Sequence, residues 1–328
     1  MVSSYEELAR RVSAGDRWAC GRFLTLIENR DPAALAQLPG LRLDRAFRIG
    51  ITGPPGVGKS TLIGQLVSAI RATGERVGVL AIDPSSPCSR GAVLGDRISL
   101  QAHTADPEVF IRSMANRGCL GGLAAATGSA CRVLEAYGCQ VLILETVGVG
   151  QAEVEIATVA DTTVLLLSPH GPDQIQLLKA GIMEVSELFV INKADLPGAL
   201  ALAQQLATML SERALAQTKS ALPVAVQRIF LARGLGTLEK SGVVEIWQTL
   251  KQLRAQPLAK AWSNLGHAAI ISEALLLLRE RLQALIDTSG LPDAADRHAA
   301  ASQLVERLLE SGTKPANSLP LAKTTTPL

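Results

Sequence analysis

The stretch Gly53-Pro54-Pro55-Gly56-Val57-Gly58-Lys59-Ser60 carries the plainest chemistry in the chain, as a full G-x-x-x-x-G-K-[ST] pattern. Glycine-rich backbone that turns into a helix offers a concave row of N–H groups, and the helix N-terminus adds partial positive charge. Both suit phosphate. The spacing predicts that Gly53 through Gly58 and the first helical residues, as far as Thr61, wrap the phosphates of a nucleotide. Lys59 is expected to reach the β- and γ-phosphates and Ser60 to ligate Mg²⁺. A second cluster, Asn192-Lys193-Ala194-Asp195, follows the apolar run Leu188–Ile191. A carboxylate at Asp195 can accept two hydrogen bonds from guanine, at N1–H and the 2-amino group. Adenine lacks that donor pair and would leave the carboxylate unpaired. Asn192 can bond the base edge and brace the phosphate loop, and the Lys193 stem can cover the ring face. The two clusters together predict GTP rather than ATP.

Three carboxylates stand at strand ends or loops on the phosphate side: Asp83, Asp96 and Glu145. Mg²⁺ prefers oxygen ligands and keeps waters, so one or two of them suffice beside Ser60. Glu145-Thr146-Val147-Gly148 occupies a D-x-x-G-like slot, where the Gly148 N–H can sense a γ-phosphate. Gln151 is the nearby amide able to orient a water, which makes Lys59, Glu145 and Gln151 the catalytic candidates. Arg112 and Arg117 flank a glycine-rich stretch and are expected to face a partner rather than to stabilise charge in cis.

These residues work only if regular elements bring them to one edge. Short runs apolar on both faces, at Phe47–Thr52, Val77–Ile82, Val141–Leu144, Thr163–Leu167 and Leu188–Ile191, read as strands of a buried parallel sheet. A sixth, less clean run lies within Val224–Leu231. Helical stretches between most of them give right-handed βαβ units. The predicted fold is α/β, a P-loop NTPase with a mainly parallel sheet flanked by helices and helical extensions at both ends. Residues 1–45 read as short helices, with a Ser4–Glu7 capping box, an Asp16 cap and an Asp31-Pro32 start. The GTPase domain is assigned to 46–255, a helical arm to 256–311 and a disordered, proline-punctuated tail to 312–328.

Composition narrows the alternatives. Of 328 residues, 48% are hydrophobic and 19% charged, enough apolar side chain to exclude a wholly disordered chain. The near balance of 32 basic and 30 acidic residues gives no footprint for nucleic acid and no polybasic membrane anchor. No run approaches a membrane span of about 18 apolar residues. Five cysteines without a C-x-x-C, and four scattered histidines, supply no zinc spacing. An acidic, polar N-terminus is unlike a signal peptide, and a cytoplasmic location is expected.

The motif string resembles the MeaB/ArgK-type GTPases. It comprises Ala81-Ile82-Asp83-Pro84-Ser85-Ser86-Pro87, Leu94-Gly95-Asp96, Phe110-Ile111-Arg112-Ser113, Glu145 through Gln151 and Lys179 through Glu184. The resemblance covers roughly residues 5–255. It implies a GTP-hydrolysing chaperone, with slow intrinsic turnover, of an adenosylcobalamin-dependent acyl-CoA mutase of the methylmalonyl-CoA type. It also implies a homodimer built with C-terminal helices, GTP/GDP and Mg²⁺ as cofactors, and a cobalamin adenosyltransferase as a further partner. Carried onto this chain, it makes Lys59 a phosphate ligand, Ser60, Asp83, Asp96 and Glu145 the Mg²⁺ surroundings, and Asp195 the guanine reader. It makes Asp173–Lys179 a switch toward the partner, with Gln176 and Lys179 at matching positions. Two loops depart from the family pattern: Ser168 to Gln174, which Pro172 stiffens, and Gly236-Thr237-Leu238, where a Ser-Ala pair is usual. These departures leave open a binding module with little turnover. A nickel-delivery GTPase and a kinase acting on a binding protein are further alternatives. The first is weakened by the lack of a Cys/His cluster and the second by Asp195.

Overall fold

Strands that are apolar on both faces need a helix layer on each side, and the chain supplies both. The computed structural model describes residues 5–41, 44–84, 100–116, 122–146, 156–170, 183, 186–217, 228–233 and 238–255, with 286, 300–303 and 305–307. Two compact units divide the chain at Ile270 and Ile271. In the second unit, the described residues 286, 300–303 and 305–307 are helical.

Among the described residues of the first unit, seven strands form one sheet in the order β3-β2-β4-β1-β5-β6-β7. They are β1 (Phe47–Thr52), β2 (Val77–Pro84), β3 (Val109–Asn116), β4 (Val141–Thr146), β5 (Thr162–Leu167), β6 (Leu188–Ile191) and β7 (Arg228–Leu231). Every pairing is parallel. Six of these correspond to the expected runs. The seventh, β3, has no counterpart among them, and β7 is shorter than its run and only half-buried.

Alternate residues serve opposite layers. Val141 and Ile143 of β4 pack with helix α4 (Lys59–Arg71) and helix α7 (Val243–Ala255). Leu142 and Leu144 pack with α1 (Tyr5–Ser13), α2 (Arg17–Glu28), α3 (Pro32–Leu35) and α5 (Gly122–Ala136). Leu165 and Leu167 of β5, with Phe189 and Ile191 of β6, meet α6 (Ala199–Gln217) through Leu202, Leu206 and Leu210. Each fully buried Leu, Ile or Phe contributes about 1.5–3 kcal/mol, so these layers hold the strand ends rigidly.

The N-terminal helices start where their caps require. Asp16 accepts from Ala19 N, and Asp31 accepts from Ala33 N and Ala34 N with Pro32 in the first turn. Of the expected Ser4–Glu7 capping box, only Glu7 is among the described residues. Its carboxylate takes two hydrogen bonds from Arg10. Cys20, Cys131 and Cys139 are free and buried, and burial pushes the thiols of Cys131 and Cys139 up to about 12. Among the described residues no helix is long and apolar enough to cross a membrane.

Candidate nucleotide site

The sheet order places β1 between β4 and β5, although neither is its neighbour in sequence. The crevice at such a switch of strand order, beyond the carboxyl ends, is where open α/β sheets bind ligands. The phosphate loop leaves β1 at this point and enters α4 at Lys59. Two glycines are needed for the loop's path. Gly53 (φ 142°) would drive a Cβ to 2.3 Å from the Leu166 carbonyl oxygen, and Gly58 (φ 94°) would drive one to 2.4 Å from Asn192 Nδ2.

Lys59 is only 7% exposed, with its Nζ donating to the carbonyls of Gly53 at 2.7 Å and Pro54 at 3.0 Å. The ammonium is therefore held against the loop's own carbonyls. Ser60, the next residue, donates from Oγ to Glu145 Oε1 at 3.0 Å. The β1–β4 register explains this meeting: Glu145 is paired with Ile51, whose side chain faces α4, and register partners share a face. A hydroxyl and a buried carboxylate so close form a hard oxygen pair suited to Mg²⁺. The backbone sets Asp83 at the end of β2, one position beyond Ile82, the register partner of Thr146.

The Asn192–Asp195 segment is tied directly to this loop. Asn192 Nδ2 donates to Val57 O at 2.8 Å, and Lys193 Nζ donates to Gly56 O at 2.8 Å. Lys193 adopts a left-handed backbone (φ 56°), which turns its stem back toward the loop. Asn192 N bonds Leu167 O, and Ala194 N bonds Ala232 O, so the segment is also fixed to the end of β5 and to the residue after β7. Asp195 is exposed beside them. Asn192 Oδ1 is buried without a partner among the described residues. A stranded acceptor costs about 1–3 kcal/mol, and a donor on a bound base would relieve it.

The structure thus brings Gly53, Pro54, Pro55, Gly56, Val57, Gly58, Lys59, Ser60, Glu145, Asn192 and Lys193 into one constellation. Thr61 follows in the first turn of α4, and Leu238 begins a short 3-10 turn (Leu238–Lys240) after β7. Asp96, Arg117, Gly148, Gln151, Asp173, Gln176, Lys179, Gly236 and Thr237 lie outside the described residues. One expectation is corrected. Arg112 does not face outward to a partner: its Nη2 donates to Glu28 at 2.7 Å and to Thr25 at 3.1 Å, tying β3 to α2. Two polar residues that motif reading passes over, Thr52 and Thr146, join the ends of β1 and β4. Their only signal in sequence is a hydroxyl closing each apolar strand.

Residues 20–269 match the model of a family described as methylmalonyl-CoA mutase-associated GTPase MeaB. The chain belongs to this family. A protein of Pyrococcus abyssi named as a GTPase is 54% identical over 59% of this chain and 60% of its own length. The mouse (Mus musculus) protein named methylmalonic aciduria type A homolog, mitochondrial, is 37% identical over 65% of this chain and 50% of its own. The chain therefore matches less than two thirds of the length of these curated relatives. A solved structure described as LAO/AO transport system kinase has a TM-score of 0.58 at 24% identity, covering 94% of this chain and 99% of that one. At that identity the likeness speaks to the fold, a parallel sheet with helices on both faces.

Proposed function

We propose that this chain binds GTP with Mg²⁺, hydrolyses it, and acts as a nucleotide-dependent chaperone of an adenosylcobalamin-dependent acyl-CoA mutase. The observation that carries the guanine reading is the pair of bonds from Asn192 and Lys193 to the carbonyls of Val57 and Gly56. They tie the segment assigned to guanine selection directly to the loop assigned to the phosphates. Lys59, already desolvated and aimed by two carbonyls, neutralises the β- and γ-phosphate oxygens. Ser60 and Glu145 would hold Mg²⁺, with Asp83 and Asp96 assigned to its surroundings, and the metal would supply charge stabilisation for the phosphates. Gly148 and Gln151 are assigned to γ-phosphate sensing and water orientation, and Gly236-Thr237-Leu238 to the second base contact.

The family's association with the mutase supports the partner. On this reading Asp173, Gln176 and Lys179 report the nucleotide state to it, with an adenosyltransferase as a further partner. Residues 256–311 form the dimer arm, and the setting is the cytoplasm. The deciding experiment compares GTP, ATP and xanthosine triphosphate with wild type and Asp195→Asn. Exchanging the carboxylate for an amide should lower GTP affinity at least about tenfold and gain affinity for xanthine, whose 2-oxo group accepts the new N–H. Equal binding of ATP and GTP by wild type would overturn the guanine assignment. For the partner, the expected result is a changed GTP hydrolysis rate on adding the mutase, lost in Lys179→Ala.

A further inference from the structure

Three side-chain hydrogen bonds and three peptide links close a ring through the phosphate corner. Lys59 Nζ donates to Gly53 O at 2.7 Å, and Gly53 follows Thr52. The hydroxyl of Thr146 donates to that of Thr52 at 3.1 Å, and Thr146 follows Glu145. Glu145 accepts from Ser60 at 3.0 Å, and Ser60 follows Lys59. Two of these bonds use groups that the proposed nucleotide and Mg²⁺ would take over. The third does not. Ile51 and Glu145 face α4, so Thr52 and Thr146, one residue further, turn to the opposite face of the sheet. Both threonines are buried, at 0% and 1% exposure, on the face of the sheet turned away from α4.

We propose that the Thr52–Thr146 hydroxyl pair is a positioning device for this corner, fixing the ends of β1 and β4 so that Lys59 and Glu145 keep their spacing when ligand displaces the other two bonds. The proposal rests on reading Lys59, Ser60 and Glu145 as the phosphate and Mg²⁺ corner. It concerns residues that touch neither phosphate nor metal. The competing account is that two buried hydroxyls merely satisfy each other. The two accounts differ for a double substitution. Replacing both partners with apolar groups of the same shape is close to neutral for stability, whereas replacing one strands the other.

The test uses the full chain as wild type, Thr146→Val, Thr146→Ser and the double variant Thr52→Val/Thr146→Val. In nucleotide-free protein, amide hydrogen exchange across residues 52–60 and 144–146 should rise several-fold in the double variant while its melting temperature stays near that of wild type. The Mg²⁺ concentration for half-maximal GTP hydrolysis should rise about 5- to 10-fold, as expected for one lost buried hydrogen bond. GDP affinity in EDTA should stay within about twofold. Thr146→Ser, which keeps the hydroxyl, should behave as wild type, and Thr146→Val should lose more stability than the double variant. Unchanged exchange in the double variant overturns the proposal, whatever the Mg²⁺ curve does. A wild-type protein that binds no guanine nucleotide overturns the reading of the site instead, and the exchange measurement still decides the role of the threonines.

Discussion

At Gly58 a single added methyl group tests the link between the two halves of the site. An alanine Cβ there would stand 2.4 Å from Asn192 Nδ2, in a left-handed backbone that L side chains resist. At Gly56 the backbone is also left-handed (φ 75°), but an alanine methyl there would meet nothing within 4 Å. Gly58→Ala should therefore break the Asn192–Val57 bond and abolish measurable GTP binding. Gly56→Ala should cost only the backbone term, about 1–2 kcal/mol of stability, and retain binding. Calorimetric titration with GTP on both variants checks this, and equal affinity in the two would refute the steric argument. At this scale much of the candidate site is legible in the sequence, because the G-x-x-x-x-G-K-[ST] run and the Asn192–Asp195 tetrad are local patterns that the structure brings together. Thr52 and Thr146 are not legible. Their significance lies in a register between strands 94 residues apart.

Among the elements, β3 shows where pattern reading fails. Its sequence, Val109–Asn116, interrupts an apolar start with Arg112 and Ser113, and a charged residue in a short run argues against a buried strand. The strand forms at the sheet edge because α2 supplies Glu28 and Thr25 to Arg112, partners more than 80 positions away. That pairing is invisible to local periodicity. The seam between β5 and β6 holds a second such case. Glu187 precedes β6 and accepts from Thr163 N at 2.7 Å, while Glu187 N donates back to Thr163 O. Burial pushes its carboxyl from 4.5 up to about 7, outweighing the Thr163 bond that favours the charged form. A carboxyl raised in the folded state adds stability that is complete below the unfolded value near 4.5 and is lost as pH rises through about 7. Glu187→Gln should flatten the stability profile across that window and leave the protein more stable above it, by up to about 3 kcal/mol. Urea unfolding from pH 4 to 8 measures it, and parallel profiles for the two proteins would contradict the assignment.

For the whole molecule, the alternation of apolar runs and helical stretches is enough to read an α/β sheet, since runs buried on both faces have few other places to go. The strand order is not readable, because it depends on which crossover packs where. The N-terminal helices, expected as an extension, share one core with the sheet: Phe23, Leu24 and Ile27 pack in the same cluster as Leu142 and Leu144. They also reach the edge strand. Arg17 lies against the Phe110 ring and donates to the carbonyls of Val109 at 2.9 Å and Pro107 at 3.3 Å. A carbonyl on an edge strand is an open invitation to another chain's backbone. By occupying the Val109 carbonyl, Arg17 leaves one acceptor fewer at the start of this edge. Arg17→Ala should scatter light on mild warming, in proportion to protein concentration, before any loss of helical signal. Clear solutions at high concentration would show that the edge needs no such cover. If the scatter appears, a residue with no part in nucleotide chemistry sets how concentrated the protein can become before it joins sheet to sheet.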